Sequence, residues 1–411
     1  MQKLVILLFF ILVISRINAA TITVGQGLKY AGIVKAIAAC NDHDTILVTK
    51  GIYHEGNISI TKKIILLTNE NAIIDGDSKW EIISIKADSV EIKGFSLQNA
   101  GKSSVNDIAA IKIYGTRGAV IEGNTISNCF FGILSLSAVN GKIIRNKITG
   151  SGNGEEESGN GVHCWKCDSM QVIANTISAC RDGIYFEFVT NSLIWRNTSE
   201  HNIRYGLHFM FSHNDAYITN SFSYNGAGVA VMYTHGVRMF NNVFQHNWGE
   251  ASYGLLLKEI SDSYIEGNKF IENTSAIFME GGSRNLICKN NFKNNGWAMQ
   301  VQASCNGNTI AGNNFTGNTF DVGTNGTLAL NSFNHNYWDK YEGYDINRDG
   351  CGDVPYRPVS LYSMVTARTP PAMILYRSLI VALMDKTEKV LPGITPEGLK
   401  DDYPLMKPLP L

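Results

Sequence analysis

Charge is scarce in this chain. Only 17% of its 411 residues are charged, and 35 basic side chains face 36 acidic ones for a net charge of −1. No basic field exists to draw in a polyanion, which leaves no electrostatic case for nucleic acid as a partner. Long apolar runs are equally absent beyond the first twenty residues, so no later segment has the roughly 20 apolar positions a membrane-spanning helix needs. Cysteine is present but not framed. Cys40, Cys129, Cys164, Cys167, Cys180, Cys288, Cys305 and Cys351 are scattered without a dense pattern, and a chain this long buries a core without staples. They read mostly as buried thiols acting as small hydrophobes. Helical periodicity is missing from most of the chain, whereas Gly (39 residues) and Asn abound, a mixture that suits many turns and short strands.

The opening "MQKLVILLFFILVISRINAA" has Lys3, an apolar run from Leu4 to Ile14, and small residues at Ala19 and Ala20. That is the layout of a signal peptide over residues 1–20, implying export, in a bacterium to the periplasm.

From there the chain repeats. The phrases "IEGNTI", "IRNKI", "IANTI", "WRNTS", "ITNSF", "FNNVF", "IEGNKF", "CKNNF" and "AGNNF" set Asn124, Asn146, Asn175, Asn197, Asn220, Asn242, Asn268, Asn290 and Asn313 in register, mostly 22 or 23 residues apart. Such a period, with alternation of two, describes a coil of short strands stacking on its own next turn: an all-β, right-handed parallel β-helix of about 22 residues per turn, its rungs about 4.8 Å apart. The asparagines suit a turn position and read as scaffold. A short helical pattern from Ala31 to Ala39 is placed to cap the open first rung. The expected organisation is a coil over 21–338, an Asp-rich capping loop over 339–357, and a tail over 358–411 with an amphipathic helix.

A second phrase recurs: "FGILSLS", "NGVHCWK", "DGIYFEF", "YGLHFMF", "AGVAVMY", "YGLLLKE", "SAIFMEG", "WAMQVQA". Counted from its glycine, positions +1 and +3 are almost all apolar, so they face the core and +2 and +4 face out. The outward columns hold His163, Tyr185 and His208 at +2, and Trp165, Glu187, Met210, Met232 and Lys258 at +4. A semi-apolar outer face of aromatic, thioether and imidazole groups marks a binding surface. Met210 and Met232 fall on adjacent rungs with His208 about 7 Å along the strand. Thioethers select Cu(I) and imidazole accepts copper, so these three are candidate copper ligands. His213 and His235, both at +7, are candidates to support those ligands from behind or to pass the ion on. The plainer alternative is that the methionines cover a partner as adaptable hydrophobes.

Cys164 and Cys167 have metal-like spacing, but alternation turns Cys164 inward and predicts that the two diverge. A lyase or glycosidase needs close carboxylates. Glu187 and Glu280 lie four rungs apart, near 19 Å, and Lys258 with Glu280 reads as an ion pair. In the tail, Asp345, Asn347, Asp349 and Asp353 match calcium-loop positions 1, 3, 5 and 9, although Tyr356 stands where the bidentate Glu belongs. A tight Asx-turn loop is the equal alternative. Residues Pro371 to Leu391 predict one amphipathic helix with Met373, Tyr376, Ile380, Leu383 and Met384 on a single face, either plugging the last rung or docking on another surface.

Taken together, "GIYFEF", "RYGLHFMFSHN", "NGAGVAVMY", "NWGEASYGLLLKEISDS", "NGWAMQV" and "GYDINRDGCGDVPYRPVSLYSMV…RTPPAMILYRS" resemble the NosD family, periplasmic maturation proteins of nitrous-oxide reductase. The resemblance runs over essentially the whole mature chain. It implies an accessory protein, not an enzyme, that works with an ABC-type ATPase and membrane subunit. It also implies that Cu(I) arrives from a lipoprotein copper chaperone for the copper–sulfur centre of nitrous-oxide reductase. Membrane contact would come only through the partner, by the tail helix. His208, Met210 and Met232 would carry the metal, with His163, Trp165, Tyr185, Glu187, His213, His235 and Lys258 on the docking face. A secreted carbohydrate-active β-helix, a uronan lyase or epimerase, is the rival reading.

Overall fold

The computed structural model describes residues 19–103, 106–152, 154–326, 330–390, 395–396 and 398–411. The signal-peptide expectation falls almost wholly outside them. The described chain winds into an all-parallel β-solenoid of about 14 turns. Each complete turn contributes one strand to each of three sheets, and the turns at the two ends contribute fewer. The first sheet has 14 strands beginning with Thr21–Val24, the second 12 from Ile58–Ile60 to Phe320–Gly323, and the third 13 from Gly51–Tyr53 to Tyr337–Trp338. The coil thus starts at Thr21, which pairs with Thr45 on the next turn.

The strands are two to nine residues long and mostly β-branched or aromatic at their inward positions, so each rung stacks like on like. Inside the third sheet, Phe222, Phe244, Phe270, Phe292, Phe315 and Trp338 form a column of rings with centroids 4.0–5.6 Å apart. The asparagine register is a hydrogen-bonded ladder. Each side-chain oxygen takes the main-chain and side-chain N–H of the Asn one rung before, as Asn220 Oδ1 does from Asn197 at 2.8 and 3.0 Å. A second ladder at the next corner links Asn202, Asn225, Asn247, Asn273, Asn295 and Asn318.

Both ends are closed. The first helix, Ile33–Ala39, buries Ile33, Ala36 and Ile37 over the first rung. At the other end Asp401 ends the asparagine ladder, accepting from Asn336 N and Nδ2 and from Trp338 Nε1.

The tail departs from the sequence expectation. In place of one helix there are three pieces: Leu361–Arg368, a 3-10 segment Pro370–Leu375, and Leu379–Val390. The break falls at Tyr376–Ser378, where Arg377 takes a left-handed φ of 63° that no helix continues through. The first piece is capped by Ser360, whose Oγ accepts from Ser363 N at 3.0 Å. The tail closes the last rung through Val359, Met364, Leu399 and Asp401, not through the face expected of its helix. Tyr362, Val381 and Met384 pack on Phe320 and Trp297, outside the second sheet, while Ile374, Leu379, Ile380 and Leu383 remain exposed. No helix among the described residues is long and apolar enough to cross a membrane.

Candidate functional site

Register places the candidate ligands as alternation requires. Met210 is the direct partner of Met232, His208 of Ala230 and of Tyr185, and Glu187 of Met210. The +1 and +3 side chains are buried in the coil throughout. The +2 and +4 side chains lie on the outer side of the second sheet, but they are not all wet. Met210, Met232, Trp165, Tyr185, Glu187 and Lys258 are half-buried, and Lys258 pairs with Glu280 at 3.7 Å.

His208 is the correction. It sits on the outer side, yet only 6% of it is exposed. A ladder of rings runs up this face from Phe131 to His163, Tyr185 and His208, with centroid spacings of 5.7, 4.7 and 4.7 Å. The Tyr205 ring closes on His208 from the side at 4.8 Å. Asp182, itself buried, lies 3.5 Å from His208 Nδ1. Neither ring nitrogen of His208 makes a hydrogen bond, so the Asp182 contact is electrostatic only. An imidazole with free nitrogens beside two thioethers is a donor set that fits a soft ion.

Tyr185 covers this set. Its hydroxyl donates to Met210 Sδ at 3.6 Å while its ring lies on His208. Burial, then the neighbouring Glu187, pushes the Tyr185 hydroxyl up to about 12, so it stays a donor at neutral pH. His163, on the rung before Tyr185, is held neutral: burial and then Arg181 bring it down to about 4, and both its nitrogens lack partners. A neutral imidazole is the form that binds metal.

Asp182 and Tyr205 went unnoticed in the sequence because counting began at the glycine. A Cβ on Gly206 would lie 2.9 Å from Phe222 Cδ1, and Leu207 after it is fully buried, so two successive positions face inward. The residue before the glycine is thereby returned to the outer face. The Asp and Tyr standing directly before Gly183 and Gly206 were the available signal.

Cys164 and Cys167 do not diverge. The strand ends at Trp165, and Lys166 adopts φ 52°, a left-handed turn that swings Cys167 back into the core. Cys167 Sγ lies 3.4 Å from the carbonyl of Ser135, the register partner of Cys164. The two thiols are in hydrogen-bonding contact, which makes Cys167 the more acidic and Cys164 the less.

His213 and His235 stack at 4.0 Å where the second sheet turns toward the first. In the Asp-rich loop the carboxylates are engaged by main-chain amides: Asp345 accepts from Asp349 N and Gly350 N, Asp349 from Cys351 N, and Asp353 from Ile346 N. Two Asx turns lie within the loop, Asn347 accepting from Asp349 N and Asp349 from Cys351 N. One further cluster, unannounced by the sequence, brings His54, Asp75 and Asp77 within 4.8 Å near the first turns. His54 Nδ1 and Asp77 Oδ1 stand 2.7 Å apart, within hydrogen-bonding distance.

Comparison with known proteins adds to this geometry. Residues 144–348 match the family described as "Periplasmic copper-binding protein (NosD)". A protein of Pseudomonas aeruginosa named "Probable ABC transporter binding protein NosD" is 27% identical over 374 residues, spanning 86% of both chains. A Stutzerimonas stutzeri protein of the same name is 26% identical over 375 residues, 86% of this chain and 85% of that one. Among solved structures, the catalytic unit of a GH87 α-1,3-glucanase from Streptomyces thermodiastaticus strain HF3-3 matches with a TM-score of 0.56 at 13% identity. That match covers 75% of this chain and 64% of the other, and it is a likeness of fold alone.

Proposed function

The chain belongs to the NosD family, and from that premise we propose that it carries copper, as Cu(I), on the outer face of the second sheet. Met210 and Met232 supply thioethers, and His208 supplies the imidazole. The observation that carries this reading is the direct pairing of Met210 with Met232, with a hydrogen-bond-free imidazole two residues along the same strand. A carrier that gives its ion away holds it with few, soft ligands at a surface; a structural site encloses it.

In this reading Tyr185 is the gate. Its ring leaves His208 and its hydroxyl leaves the Met210 sulfur when the delivering protein docks. That protein is a copper chaperone lipoprotein, and the surrounding face of His163, Trp165, Glu187 and Lys258 receives it. The exposed Ile374, Leu379, Ile380 and Leu383 of the tail are where the membrane subunit of an ABC-type ATPase attaches. The copper then passes toward the copper–sulfur centre of nitrous-oxide reductase, and the chain acts in the periplasm as a binding component without turnover of its own. The Asp-rich loop is a secondary candidate for Ca²⁺.

The test is competitive Cu(I) chelation. The His208→Ala/Met210→Ala/Met232→Ala variant should bind Cu(I) about 100-fold more weakly than the unaltered protein, about 2.7 kcal/mol. Equal retention by both would reject the site. The three side chains stand outside the coil's core, so circular dichroism should be unchanged.

A further inference from the structure

We infer that His213 and His235 form a second, separate metal station, a pair of imidazoles that takes a late first-row divalent cation, Cu²⁺ most tightly. It goes beyond the thioether site and does not depend on it.

The argument begins with a four-residue phrase written twice, Met210-Phe211-Ser212-His213 and Met232-Tyr233-Thr234-His235, on adjacent rungs. Both copies turn the same corner in the same way. Phe211 and Tyr233 hold left-handed φ values of 51° and 55°, uncommon for bulky aromatics. Ser212 Oγ and Thr234 Oγ1 donate back to the carbonyls of Met210 and Met232 at 3.1 and 2.8 Å. Ser212 N donates across to Thr234 Oγ1 at 3.3 Å. The corner is therefore fixed twice in one geometry, and the histidine that follows emerges in register each time.

The result is two rings stacked at 4.0 Å with 22° between their planes. Strand geometry separates them from the thioethers. His235 lies three residues beyond Met232 on the strand Ala227–His235, past the left-handed turn at Tyr233 that carries the chain off the sheet face and round the corner. The sulfurs of the sheet face and the imidazoles of the corner are thereby assigned to different ions. Between the two stations stand Phe188, Phe211 and Tyr233, stacked at 5.2 and 5.0 Å.

The pair is chemically ready. His213 is half-buried and its ring packs on that of His235. Its Nδ1 accepts a long bond of 3.3 Å from His235 N–H. A half-turn of the ring about its broad χ2 well releases that contact and presents the lone pair outward. On the next rung Asp262 is held by both Nε and Nη2 of Arg284 at 2.7 and 2.8 Å. The Arg284 bonds bring the Asp262 carboxyl down to about 2 and leave that ion pair neutral overall, so the imidazoles are the donors at this corner. Neutral imidazole without thioether selects Cu²⁺, Ni²⁺ or Zn²⁺, and the Irving–Williams order puts Cu²⁺ first.

The experiment is titration of the full exported chain with CuSO4, read by electron paramagnetic resonance and competition with a chelator. Unaltered protein should give a signal split by two equatorial nitrogens. His213→Ala/His235→Ala should lose that signal with at least about 30-fold weaker binding, while Met210→Ala/Met232→Ala should keep both. The milder His235→Gln retains the main-chain donor at 235 and should leave one coupled nitrogen. An unchanged signal in the histidine variants would overturn the assignment. So would its loss in the methionine variant, because a single shared ion would then explain both sites.

Discussion

Asp215→Asn should stabilise this protein far more at pH 8 than at pH 5. Asp215 is fully buried beside the coil's first sheet, where Oδ1 accepts from Ser192 N at 2.7 Å and Oδ2 has no partner. Burial pushes its carboxyl up to about 8 against an ordinary value of 3.8. The folded state therefore holds the proton more tightly than the unfolded state does. The stability tied to that proton is intact below about pH 4 and is lost progressively as pH rises toward 8. One pH unit is worth about 1.4 kcal/mol, so this single carboxyl removes about 4 kcal/mol between pH 5 and pH 8. Asparagine keeps the acceptor for Ser192 N and never ionises. The same column already carries Asn285 and Asn308, whose amides donate to the carbonyls of Ile260 and Gly282 at 3.2 and 2.8 Å. Urea unfolding of both proteins at several pH values checks this. The gap should widen by about 3–4 kcal/mol from pH 5 to pH 8, and parallel curves would contradict it.

The opposite outcome is expected at the asparagine ladder. Asn242 is completely buried. Its oxygen accepts from Asn220 N and Nδ2 at 2.9 and 3.0 Å, and its nitrogen donates to the Tyr217 carbonyl and to Asn268 Oδ1 at 2.9 and 3.0 Å. Asn242→Ala leaves two donors of Asn220 buried without partners and removes a donor from each of two oxygens. Each abandoned buried group costs about 1–3 kcal/mol, and a ladder of amides strengthens every member. The expected loss is about 3–5 kcal/mol, read as a lowered urea midpoint. Because rungs contact only their neighbours, the damage should be local. Hydrogen exchange should rise at the rungs around Asn220 and Asn268 and stay unchanged near the first helix. A loss under 1 kcal/mol would mean that side-chain stacking alone maintains the corner.

The two variants differ in sign for one physical reason. Both positions are buried and polar, but Asn242 satisfies four hydrogen bonds without charge, whereas Asp215 satisfies one and carries a proton that water would remove. Burial rewards the first and taxes the second.

How far this molecule could be read from its residues follows from which interactions are local. A 22-residue period, alternation within strands and recurrent asparagines depend only on near neighbours and the next turn. The parallel coil, the inward columns, the ladder and the pairing of Met210 with Met232 were therefore all legible, as was the Lys258–Glu280 ion pair. Burial of His208 was not, because Tyr185 and Asp182 reach it from the preceding turn and Tyr205 from the start of its own strand, and alternation specifies a side of the sheet but not what lies over it. The left-handed turn at Lys166 that reunites Cys164 with Cys167, and the one at Arg377 that breaks the tail helix, were hidden for a related reason. Non-glycine residues enter that region only when the surrounding fold holds them there. Packing of the tail on Phe320 and Trp297 likewise required the finished coil, since the surface it covers exists only after the last rungs have closed. Periodicity wrote the scaffold; which of its outward side chains meet water, and which meet each other, was decided by the stacking of distant turns.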